Sequence, residues 1–381
     1  MVTRRGFIKS AALAAAAARL LPRSYASAAP KRILILGGTL FLGPAIVERA
    51  VMAGHQVTLF NRGKTNPQLF PQLEKLRGDR ESRSSDSLSA LHGQRRWDAV
   101  IDVWPSQPSV VMPTARLLAG RTAFYSFVSS IGAYKTLTEA GADEAWPLRP
   151  EESGYGGDKS RCEEQLTALL GTGRVGIVRP CAIAGPRDPS LSLHYWLSHL
   201  AREQRIVAPG DGSEPIELVD VRDVADWVVS NVETHRPGAW NVCGNPMGFK
   251  TFLVQCSTAI HGRAKLVWVD RRFLERHGVK DTGGNMPFWN PDLPAFEQVS
   301  SAKARSAGWS TRPLQETARD AWRSYADRID PELSYPQHQW TFDWGISDAL
   351  QAQIVKEWGS QFPQSSSSTG RRTSLRLSRV S

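Results

Sequence analysis

The chain has 381 residues and a formal charge of +10, with 47 Lys and Arg against 37 Asp and Glu. Much of that excess sits at the two ends, where Arg4, Arg5, Lys9, Arg19 and Arg23, then Arg371, Arg372, Arg376 and Arg379, have no acid among them. Residues 29–362 are left close to neutral, which excludes a polycation, and nucleic acid is not the expected partner. Four cysteines, Cys162, Cys181, Cys243 and Cys256, form no C-x-x-C pair and are too scattered for a disulfide framework or a zinc site, so they read as core residues.

The N-terminus comes first in chain order. Thr3, Arg4, Arg5, Phe7 and Lys9 are followed by an apolar run from Ala11 to Leu21 that Arg19 interrupts, and by "ASA" at 26 to 28. The run is about half as long as a membrane-spanning helix requires. An arginine pair, a weakly apolar stretch and a small-residue cleavage site, in that order, read as a twin-arginine signal peptide over residues 1–28. The expected partner there is the twin-arginine export machinery, and the expected location periplasmic or extracellular. The alternative is a basic segment without structure.

"KRILILGGTLFLG" opens the mature part with a run, Ile33 to Leu36, that is apolar without interruption, as in a parallel strand buried on both faces. Gly37 and Gly38 then allow a tight turn and close backbone approach to a pyrophosphate, and Gly43 lets the next helix pack near the sheet. Thr39, Phe41 and Leu42 complete the loop and helix start, where free amides and the dipole favour phosphate. Leu40 stands where the usual pattern has its middle glycine. The next strand, "HQVTLFNR", ends in Asn61 and Arg62 with Lys64 close behind, and has no acid for ribose hydroxyls. That favours NADP over NAD.

Further motifs follow in order: "RGD" at 77 to 79, "FVSSIGAY" at 127 to 134, "YGGDK" at 155 to 159, "VRPCAIAGPRD" at 178 to 188 and "VDVRDVADWV" at 219 to 228. With "GGTLFLG" they make the chain resemble the extended short-chain dehydrogenases/reductases, the NAD(P)-dependent epimerase/dehydratase group. The loop is similar to that of the atypical subgroup that lacks the central glycine. The resemblance runs from about residue 32 to 325. It implies an α/β fold, a Rossmann-type doubly wound parallel sheet with a smaller C-terminal α/β substrate domain, and a homodimer. It places Asp79 at the adenine, Val103, Trp104 and Pro180 along the cofactor, and Ser130, Tyr155 and Lys159 as the catalytic triad.

The chemistry of that triad stands on the residues too. Tyr155 and Lys159, four apart, share one face of a helix. A phenol titrating near pH 10 is a poor base at neutral pH, but a neighbouring ammonium and a positive nicotinamide lower its pKa. Tyr155 then exchanges a proton with a carbinol or carbonyl oxygen that Ser130 positions, while hydride moves to or from the ring. The alternative is a structural tyrosine. Gly156 and Gly157, poor helix residues, read as room above the tyrosine for substrate, and Asp158 as a solvated helix residue.

Ligands of doubly wound sheets sit outside the carboxyl ends of the strands, so the segments leaving those ends should wall the substrate pocket. Arg187 and Arg222 are candidates for an anionic group, although Arg222 could equally anchor the helix it begins. His194, Tyr195, Trp196, Phe288 and Trp289 are candidate walls, with core packing as the alternative. The expected units are a dinucleotide domain at 29–245, to whose substrate side 187–215 contributes, a smaller substrate domain at 246–330, an extension at 331–362 and an unfolded tail at 363–381. In the extension Ile346, Leu350, Ile354, Val355 and Trp358 share one helical face, with Gly359 as the stop. The expected function is an NAD(P)-dependent oxidoreductase of the epimerase/dehydratase type acting on a small substrate, sugar-like ones included. The alternative is a non-catalytic dinucleotide- or RNA-binding protein on the same fold.

Overall fold

The computed structural model describes residues 29–326, without 83, 104–106, 203 and 282–284, and residues 345–362. The expected signal peptide, the tail and Trp104 lie outside the described residues. The elements in chain order are β1 (Arg32–Leu36), α1 (Leu42–Met52), β2 (Gln56–Asn61), β3 (Glu74–Arg77), β4 (Trp97–Asp102), α2 (Pro108–Leu118), β5 (Thr122–Val128), α3 (Tyr155–Leu170), β6 (Val175–Pro180) and β7 (Ala182–Ala184). After these come α4 (Ser192–Ala201), β8 (Arg205–Pro209), β9 (Pro215–Ile216), β10 (Leu218–Asp220), α5 (Val221–Glu233), β11 (Gly238–Val242), β12 (Met247–Gly248), α6 (Phe249–Ala259), β13 (Lys265–Val269), α7 (Arg271–Arg276), α8 (Ala302–Ser306), α9 (Leu314–Ala326) and α10 (Asp348–Gln361).

Seven strands form one parallel sheet in the order β3-β2-β1-β4-β5-β6-β11. Its central strands read as continuous apolar runs because helices cover both faces: Ile33, Leu34, Ile35 and Leu36 of β1 are fully buried, as are Ala99, Val100 and Ile101 of β4. The sequence direction of neighbours reverses between β1 and β4, which opens a crevice at their carboxyl ends. One face is covered by α1 and α5, the latter capped by Asp220, whose side chain accepts from the Arg222 amide at 2.8 Å. The opposite face is covered by α2 and α3.

A second core, rich in aromatics, gathers Trp196 and Leu200 of α4, Phe249 and Phe252 of α6, Phe273 of α7 and Ala318 of α9 around the paired strands β8 and β13. The chain enters this unit after β6, returns to the large core through Val219, leaves again near Met247, and sends Val299, Ala304 and Trp309 back before α9 rejoins the small core. The helix expected in the extension is α10. Ile346, Ile354 and Val355 bury against the small core with Leu350 and Trp358 at its margin, but Gly359 does not end the helix, which runs to Gln361.

Candidate active site

The loop after β1 has the geometry that a dinucleotide requires. Gly37 and Gly38 adopt φ of 114° and 97°, a region closed to most side chains. A Cβ on Gly43 would stand 2.8 Å from the Gly38 backbone, so only glycine lets α1 start this close to the turn. Phe41 caps α1 with φ 48° and offers no side-chain acceptor, and Leu42 is buried below it. A helix start in general leaves amides without intrahelical partners, which suits a diphosphate. Val103 lies beside Gly37, its amide bonded to the Leu36 carbonyl, and Pro180 ends β6 as the neighbour of Val242.

At the end of β2, Asn61 braces the loop. Its amide nitrogen donates to the Gly37 carbonyl at 3.1 Å, and its oxygen accepts from the Gly63 amide and from Arg77. Arg62 sits at the surface within 3.4 Å of Glu81, and Asp79 accepts from the Glu81 amide. Arg77, quoted in the sequence only as part of the RGD motif, bonds Asn61. Asn66 escaped the sequence reading: it is buried and donates to the Thr39 carbonyl at 2.9 Å, a partner brought in by folding.

Ser130, Tyr155 and Lys159 come together where β5 and α3 meet. Ser130 accepts from the Gly132 amide at 3.0 Å and is hydrogen-bonded to Tyr155. Lys159 is 2% exposed; its Nζ donates to the Val128 carbonyl at 2.7 Å and lies 5.8 Å from the Tyr155 ring centre. Burial pulls the Lys159 pKa down to about 8, with Asp102 pushing it the other way. Desolvation of the Tyr155 hydroxyl end outweighs the bond to Ser130, and although the ring is 36% exposed the phenol sits above its ordinary value.

The glycines beside it correct an expectation. A Cβ on Gly156 would fall 2.1 Å from the Gly132 carbonyl oxygen, and one on Gly157 would fall 1.8 Å from that of Glu152. They make room for backbone, and thereby let Tyr155 begin the helix against the Ser130 turn. Asp158 pairs with Arg161, one turn on.

Charged networks hold this site from beneath. Arg80 grips Asp102 through two bonds of 2.6 and 2.8 Å, and Tyr125 donates to the same carboxylate at 2.6 Å. Arg179 bonds Glu163 and, at 2.8 Å, Tyr134, whose hydroxyl reaches Asn241. Burial pushes the Tyr134 phenol up to about 12. The two networks tie β4 and β5, and α3, β6 and β11, below Tyr155 and Lys159.

The substrate residues divide. Arg187 and Arg222 line a cavity of about 320 Å³ between Phe41, Ala45 and Glu48 on one side and Asp320 and Ser324 on the other. Arg187 bonds Glu48 at 2.8 Å, and Arg222 bonds Asp220 and Asp320, so it anchors the start of α5. The aromatics do not wall this cavity. Trp196 is fully buried with its indole N–H on the Pro287 carbonyl, and Tyr195, Phe288 and Trp289 share the small core. Their size contributes most when removed from water on all sides. His194 stacks on Tyr325, its ring centre 4.1 Å away.

Comparison with known proteins completes the picture. The pattern of the NAD dependent epimerase/dehydratase family matches residues 33–243. The chain is 29% identical over 212 residues to the chloroplast stem-loop binding protein of 41 kDa b of Arabidopsis thaliana, covering 51% of this chain and 53% of that one. It is 28% identical over 232 residues to the 2-alkyl-3-oxoalkanoate reductase of Stenotrophomonas maltophilia, covering 55% and 67%. It thus spans about half to two thirds of the length of these relatives. The fold is similar to that of a UDP-glucose 4-epimerase from Thermotoga maritima solved with UDP-glucose, with a TM-score of 0.60 at 15% identity over 78% of this chain and 100% of that one.

Proposed function

The chain belongs to the NAD dependent epimerase/dehydratase family, whose pattern covers more than half of it, and from that premise we propose that it is an NAD(P)-dependent oxidoreductase acting at a carbinol or carbonyl carbon of a small substrate, sugar-like molecules included. The observation that carries this reading is the meeting of Ser130, Tyr155 and Lys159 at the carboxyl edge of the sheet. A bound dinucleotide supplies or accepts the hydride. Ser130 holds the substrate oxygen, and Tyr155 gives that oxygen a proton in reduction or takes one in oxidation. The raised phenol pKa suits donation to a carbonyl; acceptance needs the positive charge that an oxidised nicotinamide brings.

NADP is the preferred form in this reading. In support, β2 ends in Asn61 where an NAD site has its acid, and Arg62 and Arg77 stand close to it, although Glu81 pairs with Arg62. We further propose export by the twin-arginine route, supported by the order of Arg4, Arg5, the apolar run and the small-residue site. Because that route carries folded proteins, the dinucleotide would enter before export and be retained, with the hydride returned to the same molecule or to a second substrate.

The test is to titrate NADPH and NADH into parent and Tyr155→Phe protein, then follow nicotinamide oxidation with a panel of ketones and 3-oxoacids. The expected result is tighter NADPH binding in both, with turnover in the variant down by about 10²–10⁴-fold. Equal turnover in the two, or no association with either coenzyme, would overturn the proposal. Salt-sensitive RNA binding by a coenzyme-blind protein would support the alternative that the Arabidopsis relative's name brings to mind.

A further inference from the structure

Where the ends of β6 and β11 meet the connection between β9 and β10, three buried side chains gather that neither the crevice nor the catalytic pair uses. Cys181 follows β6 and Cys243 follows β11, and the register that pairs Pro180 with Val242 sets the two thiols side by side. Glu217 enters from the short link after β9. Both sulfurs and a Glu217 carboxylate oxygen lie within 4.8 Å of one another. Cys243 and Glu217 are wholly buried, and Cys181 is 7% exposed.

Two independent observations separate this cluster from ordinary packing. Glu217 is held by one oxygen and open at the other: Oε2 accepts the Val299 amide at 3.1 Å, while Oε1 is buried with no partner. Such an orphan calls for an occupant or a compensating group, and a carboxylate oriented this way resembles one supported from a second shell around a metal. Donors reach the sulfurs as well, beside the Ala182 and Arg179 carbonyls that Cys181 and Cys243 meet at 3.9 and 3.8 Å. The Gly244 amide points at Cys181, and the Cys181 amide and Ser301 hydroxyl point at Cys243.

From this convergence we infer that Cys181, Glu217 and Cys243 are ligands of a single Zn²⁺ ion. Two thiolates select a thiophilic cation over magnesium or calcium. Ser301 supports the set from outside it, its oxygen accepting the Cys243 amide at 2.8 Å, and a water molecule would take the fourth position of a tetrahedral ion. Charge closes as well: two thiolates, one carboxylate and Zn²⁺ sum to one negative charge, and the Arg305 guanidinium, bonded to the Cys243 and Gly244 carbonyls, supplies the opposite one. Glu297 accepts the Glu217 amide at 3.0 Å and so braces this ligand through its backbone. Loading releases the protons of the two thiols and of Glu217 to water, with no change of oxidation state. The ion would pin together the three strand ends at which the chain passes between its two units. The spacing of the cysteines concealed the site, since register across the sheet, and not proximity in sequence, joins them.

The full chain, made metal-free with a chelator and kept reduced, is titrated with Zn²⁺ and Co²⁺. The expected result is one equivalent of zinc by elemental analysis, a thiolate-to-cobalt charge-transfer band, and a higher melting temperature on loading. Glu217→Gln, nearly isosteric, should keep the fold and bind at least about tenfold more weakly, while Cys256→Ala should bind like the parent. The inference is overturned by no stoichiometric uptake with the thiols free, by peptide mapping that finds Cys181 and Cys243 joined in a disulfide, or by equal affinity in Glu217→Gln.

Discussion

The two cores of this molecule are built from different materials. Beneath Tyr155 and Lys159 the large sheet buries charge, in Arg80 with Asp102 and Arg179 with Glu163, whereas the small unit buries rings, in Trp196, Phe249, Phe252 and Phe273. Charge pairs hold atoms in one place, because any other arrangement strands a charge in low dielectric. Apolar packing holds volume and tolerates exchange of shape. The half that carries Tyr155 and Lys159 uses the first device, and the smaller half uses the second.

That contrast can be broken at several points. The largest effect is expected from Arg80→Leu, which leaves Asp102 buried with only the Tyr125 hydroxyl; a loss of about 3–5 kcal/mol is expected in urea unfolding. Adding Asp102→Asn to it should recover part of that loss, and full additivity of the two would argue against a coupled pair. Next is a pH effect at the joint between the cores, read in chelated protein. Burial raises Glu217 from 4.5 to about 8 and Glu297 to about 7. The folded state then keeps protons that the unfolded chain has released, so stability should fall as pH rises from about 5 to 8. Glu217→Gln should flatten the melting-temperature profile over that range, and zinc should invert it. The smallest effect belongs to the ring-filled core: Phe252→Leu should cost roughly 1 kcal/mol by thermal unfolding and leave coenzyme affinity unchanged. A cost equal to that of Arg80→Leu would erase the distinction between the two cores.

What the sequence disclosed follows the range over which each signal acts. The loop from Gly37 to Gly43, the buried run of β1 and the four-residue step from Tyr155 to Lys159 are local patterns, and the structure shows the expected geometry at each. The same is true of the apolar face of α10. The function of Gly156 and Gly157 was not legible, because the Gly132 and Glu152 carbonyls that they admit come from other turns. Arg80 and Asp102 stand on different elements, as do Glu163 and Arg179, and nothing near any of them in the chain announces its partner. Trp196 and Trp289 illustrate a different limit. An aromatic that lines a cleft and one that fills a core have the same composition signal, and only the neighbours decide.

The path of the chain between the two cores has a mechanical consequence. Because segments after β6, before α5, around Met247 and on either side of Trp309 alternate between the units, no single cut separates them into two contiguous pieces. A protease that nicks one crossover would leave both halves tethered by the others. Any relative movement of the two units would likewise bend several connections together.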